Sequence, residues 1–216
     1  MKLEVSRIKK AYGKRLILQD ISFEAASGQS VAILGGNGSG KSTLLSIMAG
    51  VLRADDGKVL VDGKQDPAVF GYVPQGNPLM EELTAADNLS LWYDKQTLER
   101  ELEEGVLRIL GIREFLKTPV RKLSGGMKKR LSIGCCVSGN PKILLLDEPT
   151  AALDLACKDQ IYGYMNSFLS QGGIVVLVTH DIHEIEMCDR CYVIQNGKNM
   201  EYQKDGDFHK LAGLMQ

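Results

Sequence analysis

Apolar residues follow three patterns along the chain, and each predicts a different kind of element. Near the N-terminus, Leu3 and Val5 and then Ile21, Phe23 and Ala25 alternate with polar residues. That period of two predicts half-buried strands on either side of a turn at Tyr12-Gly13. Residues 30–34 (SVAIL), 143–146 (ILLL) and 174–178 (IVVLV) are short, nearly continuous apolar runs. Such runs predict strands buried on both faces of a parallel sheet. Residues 41–49 and 157–169 carry helical spacing, and the second segment lies between two of the buried runs. Strand, helix, strand in that order predicts a parallel sheet covered by helices, whose ligands bind beyond the carboxyl ends of the strands. Three segments stand there: residues 35–41, Asp147-Glu148 and Thr179-His180.

Residues 77–133 have another character. Leu98, Leu102, Val106, Ile109 and Leu110 recur among Glu, Arg and Lys at helical spacing, predicting an amphipathic helix within a helical insertion. The chain is therefore expected to be one domain over 1–216. Its α/β core, with a β subdomain, would span 1–76 and 134–216, and its helical subdomain 77–133.

Composition removes several alternatives. At 216 residues the chain suffices for one sizeable domain, and 44% apolar with 25% charged residues excludes disordered and collagen-like architectures. Twenty-six Lys and Arg against 27 Asp and Glu leave no global basic field, so no nucleic acid is expected as partner. The longest apolar run has five residues, 174–178, against the roughly 18 needed to cross a bilayer. The start, MKLEVSRIKK, has no apolar stretch of a secretory signal. Five cysteines without framework spacing fit a reducing compartment, and Cys188 and Cys191 form a lone pair without a second one to complete a zinc site. Cys135 and Cys136 read as small apolar groups. A cytoplasmic chain is expected, held at a membrane only by a partner.

The 23 glycines cluster in two places that carry chemistry. Gly35-Gly36-Asn37-Gly38-Ser39-Gly40-Lys41-Ser42 matches G-x-x-x-x-G-K-[ST] between a predicted strand and a predicted helix. In such a loop backbone N–H groups converge on phosphate oxygens, the helix N-terminus adds its dipole, Lys41 meets the β- and γ-phosphates, and Ser42 suits Mg²⁺. Asp147 and Glu148 end an apolar strand. The first can hold Mg²⁺ through its water shell and the second can orient an attacking water. His180 ends the next strand, where it can contact a γ-phosphate or merely cap the strand. The nearby His183 and Glu184 match no metal signature. The second cluster, Ser124-Gly125-Gly126-Met127, is a Ser N-cap with two glycines opening a helix, a further anion-ready start. Lys128, Lys129 and Arg130 follow it and read as a solvated helix face.

In motif order and content, residues 2–205 resemble the ATP-binding subunits of ABC transporters. The resemblance implies a P-loop NTPase core with ATP and Mg²⁺ as cofactors. It assigns adenine stacking to Tyr12 and phosphate contacts to Gly35, Gly36, Asn37, Gly38, Ser39, Gly40, Lys41, Ser42 and Thr43. Ser124, Gly125 and Gly126 match the signature motif, Asp147 and Glu148 the Walker B pair, and residues 151–154 the D-loop. Gln75 matches the Q-loop glutamine, which links Mg²⁺ and the attacking water to the membrane partner, and His180 the switch histidine. The implied catalytic set is Glu148, His180 and Gln75, and the implied Mg²⁺ set Ser42, Gln75 and Asp147. Two departures stand out: Met127 replaces the commonest Gln of the signature, and Ala152 the usual Gly of the D-loop. Ser-Gly-Gly-Met-Lys-Lys-Arg and the run from Met80 to Leu89 look exporter-like. The implied partners are an integral-membrane permease at the inner face of the cell membrane and, with ATP, a second copy of the chain. Gln75 and residues 77–92 are expected to face the permease, with Met80, Leu83, Leu89, Leu91 and Trp92 outward. A soluble ABC ATPase outside transport is the alternative, and the absence of Asn-Lys-x-Asp disfavours a GTPase.

Overall fold

The computed structural model describes residues 1–204, 206 and 208–214. The three apolar runs form β3 (Ser30–Leu34), β6 (Ile143–Asp147) and β7 (Ile174–Val178), every residue of which is buried. They are parallel neighbours, with Ala32 opposite Leu177 and Leu146 opposite the same residue from the other side. Their side chains alternate between two cores. Val31, Ile33, Ile143, Leu145, Val176 and Val178 face one, beneath Leu44, Leu45 and Met48 of α1 (Lys41–Met48). Ala32, Leu34, Leu144, Leu146, Val175 and Leu177 face the other. A continuous apolar run is thus read as two interleaved faces, which only a sheet covered on both sides requires.

Among the described residues the sheet has nine strands in the order β4-β1-β2-β9-β8-β3-β7-β6-β5, adding β1 (Lys2–Tyr12), β2 (Arg15–Ala26), β4 (Asp56–Val61), β5 (Phe70–Val73), β8 (Arg190–Gln195) and β9 (Lys198–Tyr202). β1 pairs antiparallel with β2 through the expected turn and with β4 on its other side. This antiparallel arm meets the parallel part through one backbone pair, Asp20 with Lys198, where the Gly197 carbonyl accepts from Gln19 at 2.6 Å and Asp20 at 3.2 Å.

On the second core lie α2 (Ala85–Ser90), α3 (Lys95–Glu103), α4 (Val106–Ile109), α5 (Gly125–Cys136), α6 (Leu155–Ser170) and α7 (Ile182–Met187), and a last helix, α8, spans Phe208–Leu214. The single amphipathic helix expected through 98–110 is two. The Glu101 carboxylate accepts from the Val106 N–H at 3.0 Å, taking a donor that a continuous helix would turn inward, and Gly105 is extended there. α6 begins at Leu155, earlier than its apolar spacing suggests, because the Asp154 side chain caps it by accepting from the Cys157 N–H at 2.8 Å.

Two surface expectations are corrected. Leu89 is wholly buried, since a capping box between Thr84 and Asp87 starts α2 with Ala85 and Leu89 inward; Leu83 is half-buried, while Met80, Leu91 and Trp92 are exposed. The basic run after Met127 is not a solvated face either. Lys128 reaches Glu81 at 2.9 Å, but Lys129 and Arg130 are buried. Arg130 stacks on Phe115 and donates to the Leu110 carbonyl and to Gln160. Backbone acceptors from distant segments line the path of both side chains, which local spacing does not reveal.

Candidate functional site

β3 delivers the chain into the glycine loop at Gly35 (φ 144°), where a Cβ would lie 2.6 Å from the Ile194 carbonyl oxygen. Gly40 (φ 103°) ends the loop, and a Cβ there would meet Leu18 at 2.6 Å and Ile17 at 2.8 Å. Only glycine lets the backbone come so close to β8 and β2. α1 then starts without a side-chain cap and without an acidic residue in its first turn, leaving its N–H groups and dipole free for an anion. Ser42 is exposed and Thr43 half-buried, while Asn37 and Gly38 form the exposed tip of the loop. Lys41 is buried, and its Nζ donates to the carbonyls of Gly35 at 2.7 Å and Gly36 at 2.9 Å. Burial lowers the Lys41 ammonium, while the charges of Glu148 and Asp147 act in the opposite sense. Among the described residues the buried Ser39 hydroxyl has no hydrogen-bond partner, so the loop holds an unmet polar group as well as unmet N–H donors.

The acidic pair lies at the end of β6, beside this loop. Asp147 is 2% exposed, and burial pushes its carboxyl up despite the Ser42 hydroxyl and the Lys129 and Lys41 ammonium groups. A hydroxyl and a buried carboxylate are hard oxygen donors of the kind that suits Mg²⁺. Glu148 turns the chain in a left-handed conformation (φ 49°), held by its N–H on the Val178 carbonyl at 2.9 Å. One of its oxygens accepts from Gln75 Nε2 at 2.9 Å, and the other lies 3.7 Å from His180 Nε2. Glu148, Gln75 and His180 come from the ends of three neighbouring strands, so the sheet order itself assembles them. Four residues on, Ala152 is also left-handed (φ 57°). The glycine expected there would adopt this without strain, whereas alanine carries on the order of 1 kcal/mol.

Tyr12 is half exposed at the end of β1, on the hairpin whose Ile17 and Leu18 lie against Gly40. Ser124 caps α5 by accepting from the Met127 N–H at 3.2 Å. Ser124 and Gly125 are exposed, Gly126 is buried against Cys157, and Met127 packs partly into the second core. Among the described residues no hydrogen bond or ion pair joins 124–126 to the loop at 35–43; the two glycine clusters of one chain stay apart.

Sequence reasoning missed two buried contacts beside the site. Thr150 donates to the buried Glu184 carboxylate at 2.7 Å, and burial pushes that carboxyl up. Lys129 donates to the carbonyls of Pro74 and Gln75 at 3.1 Å each. The cysteines are free thiols: Cys136 donates to the Tyr72 carbonyl at 2.9 Å, and burial pushes Cys136 and Cys191 up to about 11. Among the described residues no helix is long and apolar enough to cross a membrane.

Comparison with known proteins agrees with this geometry. The ABC transporter family profile matches residues 18–151. The chain is 35% identical over 210 residues to the Nod factor export ATP-binding protein I of Sinorhizobium fredii, covering 92% of itself and 61% of that protein. It is 34% identical over 208 residues to the linearmycin resistance ATP-binding protein LnrL of Bacillus subtilis, covering 91% of itself and 67% of that relative. It thus spans less than two thirds of the first relative's length. Among solved structures, a dimeric ATP-binding cassette in a post-hydrolysis state, bound to ADP and Pi, superposes with a TM-score of 0.81 at 27% identity, over 93% of this chain and 99% of that one. Glycine loop, acidic strand end, signature helix and overall superposition agree, and the chain belongs to the ABC transporter family, among its ATP-binding subunits.

Proposed function

We propose that the chain binds and hydrolyses ATP as a pair of copies and passes the cycle to a separate integral-membrane permease, in the direction of export. The observation that carries the catalytic part is the meeting of Gln75, Glu148 and His180 beside Lys41 and Asp147. In this reading the N–H groups of residues 35–43 cradle the phosphates, Lys41 leaves its loop carbonyls for the β- and γ-phosphates, and Tyr12 stacks on adenine. Ser42, Asp147 and Gln75 are the residues that would hold Mg²⁺. When bound, Mg²⁺ neutralises charge on the β- and γ-oxygens. Glu148 accepts a hydrogen bond from a water and so aims the oxygen of that water at the γ-phosphorus. The new P–O bond forms as the bond to the β-phosphate oxygen breaks, and the water's proton passes toward Glu148. His180 donates to a γ-phosphate oxygen, and Gln75 fixes the Glu148 carboxylate.

The permease reading is supported by the names of the relatives, which belong to an export system and a resistance system, and by a surface. Met80, Leu91 and Trp92 are exposed in the segment that continues from Gln75, with Trp92 at 64%. Asn88 clamps the Met80 backbone through its N–H at 2.9 Å and its carbonyl at 3.1 Å, so this apolar group is held in shape. Docked there, the chain sits at the inner face of the membrane.

Two experiments test the reading. Lys41→Ala is expected to weaken ATP binding about 10- to 100-fold, the loss of a charge-assisted contact of roughly 1.5–3 kcal/mol. Unchanged affinity by equilibrium titration would remove Lys41 from the phosphate site. Cysteines introduced at 80, 91 or 92 are expected to cross-link, in native membranes, to a polypeptide with several apolar spans. Adducts with soluble proteins alone would argue against the permease.

A further inference from the structure

We propose that Lys129 is a positioning residue: it ties the helix that begins at the signature glycines to the backbone of Pro74 and Gln75, and so holds the Gln75 amide on Glu148. The inference rests on the catalytic reading above. Lys129 lies one helical turn after Gly125 on α5 and is 6% exposed, although it had every reason of composition to reach water. Its Nζ donates to the carbonyls of Pro74 and Gln75, both at 3.1 Å. The ladder of β5 on β6 stops at Val73 with Leu146, so those two carbonyls have left the sheet. Among the described residues no backbone donor replaces it for them. Two turns further along the same helix face, Cys136 donates to the Tyr72 carbonyl at 2.9 Å. One face of α5 therefore meets three carbonyls, of Tyr72, Pro74 and Gln75, along the strand end that leads to Gln75. Gln75 Nε2 in turn lies 2.9 Å from Glu148.

The physical consequence is a short, stiff path. A buried ammonium is held by acceptors, since leaving it unpaired costs far more than an exposed one. When α5 shifts at its Ser124 end, the Lys129 contacts carry Gln75 with it, and Glu148 gains or loses the amide that orients it. Burial lowers the Lys129 ammonium, while the charges of Asp147 and Glu148 act in the opposite sense.

The test uses Lys129→Met, which keeps length and removes the donor, and Lys129→Gln, which keeps a shorter N–H donor should the apolar change unfold the chain. Steady-state ATP hydrolysis by Lys129→Met is expected to show kcat lowered roughly 10-fold with KM for ATP within about twofold, and Lys129→Gln to recover part of it. In a Gln75→Ala background the same change is expected to cost less than about twofold more, because the effect passes through Gln75. A full 10-fold loss in that background, or wild-type kcat in both single variants, overturns the proposal. A second readout needs no turnover: in the nucleotide-free chain, amide exchange of residues 75–77 should accelerate in Lys129→Met while β3 and α1 keep their rates. Acceleration everywhere would reduce Lys129 to a fold-stabilising residue and overturn it too. If the wild-type chain itself hydrolysed no ATP, the catalytic reading would fail, and the exchange arm would still decide the tether.

Discussion

Replacing Glu148 with Gln is expected to slow ATP turnover by roughly 10²- to 10⁴-fold, the usual contribution of a positioned general base. The change is nearly isosteric, and the amide oxygen of the replacement can still accept from Gln75 Nε2, now 2.9 Å from the carboxylate. Glutamine also adopts the left-handed backbone (φ 49°) at the same cost as glutamate, so the loop geometry should persist. What disappears is the negative charge that attracts the proton of the attacking water. ATP affinity is therefore expected to stay close to wild type, because the proposed phosphate contacts come from the loop at 35–43 and not from Glu148. Phosphate release under saturating ATP, set beside equilibrium nucleotide binding, separates the two quantities. Near-normal release would sink the assignment and leave His180 as the next group to examine.

The second large effect concerns assembly. The chain has two helix starts prepared for anions, α1 after Gly40 and α5 after Ser124, and neither has an acidic residue in its first turn. Ser124 and Gly125 are exposed and unconnected to their own phosphate loop. A closed two-fold pairing makes use of both, the loop of each copy facing Ser124, Gly125 and Gly126 of the other, with ATP between them. The cassette bound to ADP and Pi to which this chain is similar is itself dimeric. Glu148→Gln protein is expected to be monomeric without nucleotide and dimeric with ATP and Mg²⁺, since only the closed pair gives the γ-phosphate its second set of donors. Adding Ser124→Arg should keep it monomeric while ATP binding changes little. Light scattering that returns one mass for all three samples would defeat the model. Because Ser124 also caps α5, at about 1 kcal/mol, melting curves must show that the arginine variant remains folded.

What could be read from the sequence was whatever depends on neighbours along the chain. β3 and β7 coincide with their apolar runs because runs of about five residues suit a strand covered on both faces and are too short for a buried helix. The phosphate loop was legible because its glycines are spaced for one backbone path. The amphipathic helix through 98–110 was not, since Glu101 captures the Val106 N–H and the apolar spacing continues past the break. Lys129 was misread for a related reason: its acceptors are carbonyls 54 and 55 residues away, and no local spacing encodes them. The left-handed turns at Glu148 and Ala152 leave no compositional trace either, since neither residue type favours that backbone. The meeting of Gln75 with Glu148 is legible only through sheet order, which puts β5 beside β6 although 73 residues separate the two side chains.

The single rung between β2 and β9 has a consequence for energetics. Tyr12 rides on the antiparallel arm, while Lys41 and Asp147 belong to the parallel part, so the proposed adenine and phosphate contacts lie on opposite sides of a thin seam. Across it run the Gly197 carbonyl, Asn199, whose amide exchanges hydrogen bonds with Ser22 at 2.8 Å each way, the Arg190 guanidinium on the Glu24 carbonyl at 3.1 Å, and an apolar core that Leu18, Ile21 and Phe23 share with Ile33 and Leu44. A nucleotide touching both sides would act as a clasp. Part of its intrinsic affinity would go into fixing the arm, and the arm's resistance to local opening would rise with ligand concentration as RT ln(1 + [L]/Kd). Adenosine without phosphates, or triphosphate without a base, would engage one side only and give the arm no such gain.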